Sequence, residues 1–135
     1  EPIYADRFHQ LNSEVYSKAE ALYGEKAEND EEEATLCITL LKAYSATIYN
    51  HGDKEEKVQK VLDRSGKVLG KLSDSLLKCQ LLVACYEETL YEELAEEAHK
   101  IMSGWGGLLT AEQQNISDEL QNVENDSYLH ANTEL

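Results

Sequence analysis

Apolar residues recur every three or four positions along almost the whole chain, and no segment alternates convincingly between apolar and polar residues. This spacing places apolar side chains on one face of a helix and is typical of amphipathic α-helices. Six helical segments are predicted, with approximate bounds 3–23, 31–50, 53–72, 73–88, 90–103 and 110–123. Capping boxes are predicted where Asp30 precedes Glu33 and where Thr110 precedes Gln113. The sequence therefore predicts an all-α fold.

Two of these segments, the second and the fourth, are apolar around most of their circumference. The fourth contains the longest apolar run of the chain, Leu81–Tyr86. A helix of this kind is central rather than peripheral. Almost no linker separates the second and third segments, at Gly52, which favours an antiparallel pair. We therefore expect about six helices packed as antiparallel hairpins, in a compact bundle or a short solenoid that resembles tetratricopeptide repeats.

A chain of 135 residues fits one compact domain. We expect that domain to span residues 1–124, followed by a polar tail over 125–135 that frays. The longest apolar run is far too short to span a bilayer, and the start of the sequence shows no signal-peptide pattern. Cytoplasm is the expected location. The first residue is Glu1 rather than Met, which leaves open whether residues precede it.

The chain is strongly acidic, with 27 Asp and Glu against 12 Lys and Arg and a net charge of −15. Direct binding of nucleic-acid phosphates or of an anionic membrane requires a basic surface, so both classes of partner are excluded. A basic protein partner is favoured, because opposite charges speed association. The alternative is that the acidic charge only maintains solubility.

Little in the sequence indicates catalysis. The three cysteines, Cys37, Cys79 and Cys85, lie in apolar segments and are predicted to be buried free thiols. Glu96 and His99 have a spacing used by di-metal helical bundles, but the nearest second copy, Asp6 with His9, has the shorter carboxylate. We expect no enzyme activity, cofactor or metal, and a carboxylate-bridged metal enzyme is kept as an unfavoured alternative.

A candidate partner-binding surface lies near the fifth segment. Its carboxylates fall on adjacent helical rows, where like charges repel, and they are Glu88, Glu92, Glu93, Glu96 and Glu97. Such a face is usually only solvated; the functional alternative is a docking site for a Lys- and Arg-rich protein. Trp105, in the Gly-rich break that follows, either fills a core edge or is an exposed recognition residue. Any of the eight tyrosines left exposed would also suit a protein interface.

The sequence resembles the UpxZ family over nearly its whole length, from Pro2 to about Glu124. The matching strings carry no chemical motif, so the resemblance is one of overall similarity. They are Pro2–Phe8, Leu11–Asn12, Val15–Tyr16, Ala19–Glu20, Leu22–Tyr23, Glu31–Ala34, Leu36–Cys37, Tyr44, Ala46–Tyr49, Gly52–Glu55, Ser75–Tyr86, Glu93–Leu94, Glu97–His99 and Leu109–Glu112.

Membership would imply a regulatory function. UpxZ proteins are encoded in capsular polysaccharide loci and act against the UpxY antiterminators of other loci. UpxY antiterminators are related to NusG. The resemblance thus implies a non-enzymatic cytoplasmic regulator that binds and inhibits a NusG-like protein with a basic surface. A generic helical-hairpin adaptor for a basic protein or peptide remains the alternative. The family supplies no functional residues that could be assigned to positions of this chain.

Overall fold

The computed structural model describes residues 17–46 and 54–133, with side chains over 17–45 and 54–126. This part of the chain is all-α and contains no strand, which confirms the predicted fold class. Several predicted features lie outside it: the start of the first helix, Asp6 and His9, and the boundary at Gly52. The helices are α1 (residues 17–23), α2 (Asp30–Ala46), α3 (Lys54–Leu69), α4 (Leu76–Thr89), α5 (Glu92–Met102) and α6 (Ala111–Thr133).

The chain divides into two compact units, Glu1–Lys71 and Leu72–Leu135. The described helices of the first unit are α1, α2 and α3, and those of the second are α4, α5 and α6. We expect residues 1–124 to fold cooperatively as a single domain, and this stays a prediction.

In the first unit, α2 packs against α3 in an antiparallel arrangement. Glu33 in the first turn of α2 pairs with Arg64 in the second half of α3. At the other end of the pair, Glu20 of α1 accepts a hydrogen bond from Tyr44 at 3.4 Å and forms an ion pair with Lys57. The core between these helices consists of Ala19, Ala34, Cys37, Leu40, Leu41, Tyr44, Val61, Ser65 and Val68.

In the second unit, α4 lies at the centre and contacts both α5 and α6. The run Leu81–Tyr86 is buried on every side, which confirms the central position predicted from its composition. A helix that is apolar all round reaches this state only with neighbours on more than one face. The neighbours contribute Ala95, Ala98, Ile101, Ile116 and Leu120 to the core.

The helix ends follow capping chemistry, with shifts from the predicted positions. The expected reciprocal cap of α6 is present, with Thr110 and Gln113 bonding each other's backbone N–H at 2.9 and 3.1 Å. The start of α4 was predicted at Ser73, but Ser75 is the cap and accepts from the N–H of Lys78. The α6 backbone is helical through Thr133, ten residues beyond the predicted end of the sixth helix at 123. The expected fraying from residue 125 stays a prediction.

Candidate partner-binding surface

The surface begins at the turn that separates α4 from α5. Leu90 adopts the left-handed conformation, with φ 58° and ψ 24°, and its N–H donates to the carbonyl oxygen of Tyr86 at 2.7 Å. This bond closes α4, and the extended backbone of Tyr91 (φ −74°, ψ 114°) leads into α5. The predicted start of the fifth helix at Leu90 is therefore wrong. Glycine or asparagine usually marks such a turn, and here neither is present.

The turn divides the predicted acidic rows. Glu88 belongs to α4, whereas Glu92 begins α5, so these two residues do not share a helical row. Glu88 is also half-buried and engaged within the chain. The expectation of one continuous row from Glu88 to Glu96 is therefore wrong, because it required a helix that Leu90 interrupts.

The remaining carboxylates form one exposed face. The buried residues of α5 are Ala95, Ala98 and Ile101, three residues apart along one side of the helix. A 3.6-residue period then turns the neighbouring positions outward. We define the α5 acidic surface as the four exposed carboxylates of this face, Glu92, Glu93, Glu96 and Glu97.

One cation from the neighbouring helix reaches this surface. Lys78 of α4 lies 3.1 Å from Glu97 and 3.4 Å from Asp74, and its side chain is only 12% exposed. The hydrogen bond to Glu97 is the main cause of the raised pKa of Lys78, and burial opposes it. Part of the Glu97 charge is therefore neutralised inside the protein, which leaves Glu92, Glu93 and Glu96 as the main source of negative potential.

The metal-like spacing has a different use. Nε2 of His99 lies 2.8 Å from a carboxylate oxygen of Glu124 in α6, and the side chains of His99 and Glu124 are 53% and 38% exposed. Over residues 17–45 and 54–126, no group of three or more His, Cys, Asp or Glu could hold a metal ion. Cys37, Cys79 and Cys85 are buried and free, as predicted. Burial raises the pKa of Cys79 to about 11, so its thiol is a poor nucleophile.

Trp105 lies in the loop between α5 and α6, where its backbone N–H donates a hydrogen bond to the carbonyl oxygen of Met102 at 3.0 Å. The side chain is half-buried, which matches neither a fully packed core residue nor a fully exposed recognition residue. Three large apolar residues are more exposed than Trp105: Leu90 at 49%, Tyr91 at 63% and Leu108 at 97%. Nothing in the sequence indicated that Leu90 and Leu108 are exposed. The general expectation that exposed tyrosines suit an interface is the one prediction that applies to Tyr91.

A second acidic group, the α2 acidic cluster, opens α2 and comprises Glu28, Asp30, Glu31, Glu32 and Glu33. Asn29 caps the helix by accepting from the N–H of Glu32 at 2.8 Å, so the predicted cap at Asp30 with Glu33 is wrong by one residue. Glu32 in turn accepts from the N–H of Glu28 at 2.8 Å. These carboxylates also meet the positive end of the helix dipole.

Glu33 is held by Arg64 of α3. The guanidinium donates two hydrogen bonds to its carboxylate, at 3.0 and 2.6 Å. This paired geometry is strong and specific for arginine and carboxylate. It is the main reason that the pKa of Glu33 lies below its ordinary value. Beside the pair, Tyr23 and the segment 24–30 line an open cleft of about 600 Å³.

Comparisons with known proteins agree with the all-α fold. Residues 1–87 match the model of the UpxZ family of transcription anti-terminator antagonists. The chain is also similar to the crystal structure of a transcription anti-terminator antagonist UpxZ from Bacteroides uniformis, with 46% sequence identity and a TM-score of 0.84. That match covers 93% of this chain and 82% of the other. No curated protein matches the chain.

The class of protein is therefore an all-α transcription regulator. More particularly, the chain belongs to the UpxZ family of transcription anti-terminator antagonists, as its sequence resemblance indicated. In the described part of the chain, no helix combines the length and the apolar character needed to cross a membrane.

Proposed function

We propose that this chain binds and inhibits NusG-like, UpxY-type antiterminators of other capsular polysaccharide loci, and that the α5 acidic surface is its contact face. Membership of a family of anti-terminator antagonists supports a protein partner, because an antagonist of this kind acts against another regulatory protein. The observation that carries the surface assignment is the exposure of Glu92, Glu93 and Glu96 on one side of α5, while another side of the same helix is buried in the core.

The mechanism follows from charge. An antiterminator that engages polymerase or RNA presents basic residues, because phosphates and acidic protein surfaces attract them. The α5 acidic surface would compete for those residues. Its field would also speed encounter, by about 10- to 1,000-fold at low salt for steered association. Inhibition would then require no chemistry in the antagonist, only occupancy of the surface that the antiterminator needs.

An adaptor that binds a basic peptide in a groove is the second candidate. The cleft beside Tyr23 favours it, because glutamates and an aspartate line an opening large enough for a side chain or two. The lining carboxylate Glu33 is already bonded to Arg64, however, and Tyr23 is the one aromatic residue among the described residues that line the cleft. The α5 acidic surface is the stronger candidate because its carboxylates face solvent.

The test is a binding measurement with a purified UpxY-type antiterminator from another locus, by calorimetry at low and physiological salt. The variant is Glu92→Lys with Glu93→Lys and Glu96→Lys, which leaves the Lys78–Glu97 pair intact. A matched control reverses the same number of exposed carboxylates on α6, Glu112→Lys with Asp118→Lys and Asp126→Lys. Circular dichroism verifies that both variants keep their helices.

We expect wild type to bind, with an affinity that falls as salt rises. The α5 variant should lose at least about ten-fold in affinity, whereas the α6 control should stay within about three-fold. Equal losses in both variants would show that net charge matters and the surface does not. Unchanged binding by the α5 variant would overturn the surface assignment, and no binding by wild type would overturn the proposed function.

A further inference from the structure

We propose that Leu90 and Tyr91, here named the α4–α5 tip, are the apolar anchor that inserts into a pocket rimmed by Lys and Arg on the partner protein. This inference rests on the proposed function and deepens it, because it names the residues that would supply affinity. Leu90 ends α4 and Tyr91 begins α5, and neither is a residue type that usually occupies its position.

Leu90 is the first of these positions. It is the one non-glycine residue with positive φ in the described part of the chain. The left-handed conformation brings the Cβ atom close to the following carbonyl oxygen, so glycine or asparagine normally occupies it. A leucine here costs folding free energy, and burial recovers only part of that cost because the residue is 49% exposed.

Tyr91 is the second position. It is the N-cap of α5, where Ser, Thr, Asp or Asn would accept a hydrogen bond from the helix N-terminus. The tyrosine makes no such bond. Its side chain is 63% exposed, so the core does not explain the residue either. Strained or locally disfavoured residues that the fold does not need are concentrated at functional sites.

The surroundings indicate which partner would cover the tip. Glu92 and Glu93 follow it directly and are exposed on the α5 acidic surface. A second copy of this chain would bring the same carboxylates face to face, and the net charge of −15 on each copy also opposes self-association. A partner with an apolar pocket and a basic rim is complementary to the exposed apolar tip and to the carboxylates beside it. Interfaces often have this anatomy, with an aromatic anchor at the centre and charged residues around it.

The test uses the double variant Leu90→Gly with Tyr91→Ser, which supplies the residues that local physics favours at both positions. Binding to the purified UpxY-type antiterminator is measured by calorimetry, and stability by thermal unfolding. We expect affinity to fall by about 30-fold, the level of an interface hot spot, while Tm stays equal to or above that of wild type. Leu108→Ser is the matched control, because Leu108 is 97% exposed and lies in the loop at the opposite end of α5.

The outcomes separate this inference from the proposed function. If the double variant binds like wild type while the α5 charge variant does not, the tip has no role and the proposed function stands. A fall in both Tm and affinity would make the tip a structural element and overturn the inference. An equal loss in Leu108→Ser would assign the effect to apolar exposure in general. Absence of binding by wild type would overturn the proposed function and this inference with it.

Discussion

The two acidic groups of this protein look alike in sequence and differ in what their carboxylates do. Both lie at the start of a helix, where the dipole favours negative charge. In the α2 acidic cluster, the chain itself uses the carboxylates: Glu32 bonds the backbone of Glu28, and Glu33 holds Arg64. On the α5 acidic surface, Lys78 engages Glu97, and the face as a whole points to solvent.

The comparison shows that the density of acidic residues does not distinguish carboxylates bonded within the chain from carboxylates that face solvent. Carboxylates with partners inside the chain contribute to folding and have little capacity left for another protein. Carboxylates on an exposed face contribute little to folding and keep their field available. The same substitution in the two groups should therefore change different properties.

The largest expected difference is in stability. Glu33→Gln replaces one acceptor oxygen by an NH₂ group that faces an N–H of Arg64, and both side chains of the pair are only 26% exposed. We expect a loss of about 1.5–3 kcal/mol in the free energy of unfolding, the range for hydrogen bonds to charged groups. Glu93→Gln on the exposed face should change it by less than about 0.5 kcal/mol. Urea unfolding followed by circular dichroism measures both, and equal losses would remove the distinction between the two groups.

The same experiment tests the predicted single domain. Glu33 lies in the first compact unit, whereas Trp105, the one tryptophan of the chain, lies in the second. If residues 1–124 unfold as one domain, Glu33→Gln should shift the Trp105 fluorescence transition as far as the circular dichroism transition. A shift seen by circular dichroism alone would mean that the two units unfold independently.

The sequence was sufficient to predict the helices and the central position of α4, because apolar periodicity and composition determine which faces must be buried. The second segment was also predicted to be central, but the buried residues of α2 lie along one side of the helix. The sequence also predicted the cap at Thr110 and the buried state of Cys37 and Cys79. It did not predict the pair between Glu33 and Arg64, which are 31 residues apart. A contact of that range depends on the packing of α2 against α3, and local spacing carries no information about it.

The candidate surface was predicted only in part. Four of its carboxylates lie on one exposed face as the spacing required, but Glu88 does not belong to it and Lys78 was not identified as a partner of Glu97. The first error originates in the turn at Leu90, and the second in the packing of α4 against α5, which local spacing does not reveal. Leucine and tyrosine are ordinary helix or core residues, so nothing in their identities indicated a left-handed turn with two exposed side chains.

A smaller effect is expected in the pH dependence of stability. Because Arg64 lowers the pKa of Glu33 below its ordinary value of 4.5, the folded chain binds that proton less readily than the unfolded chain. The stabilisation is fully present above about pH 4.5 and is lost as the pH falls through the folded-state pKa. The gap in unfolding free energy between wild type and Glu33→Gln should therefore narrow below that pH. A gap that stays constant from pH 7 to pH 3 would contradict the role of the ionised pair.

The smallest expected effect has opposite signs for folding and binding. Lys78→Met keeps the apolar stem that packs within the second unit but removes the charge opposite Glu97. Because Glu97 is 45% exposed, the pair should contribute no more than about 1 kcal/mol to stability. The α5 acidic surface meanwhile gains net negative charge, so association with a basic antiterminator should become about two-fold faster at low salt and return to the wild-type rate at high salt. Stopped-flow kinetics measures this, and Lys100→Met, which removes an exposed lysine from α5 itself, shows whether any nearby cation has the same effect. Slower association of the Lys78 variant would mean that the partner contacts Lys78 or needs Glu97 held in place, and the surface would then act through defined geometry rather than through its field.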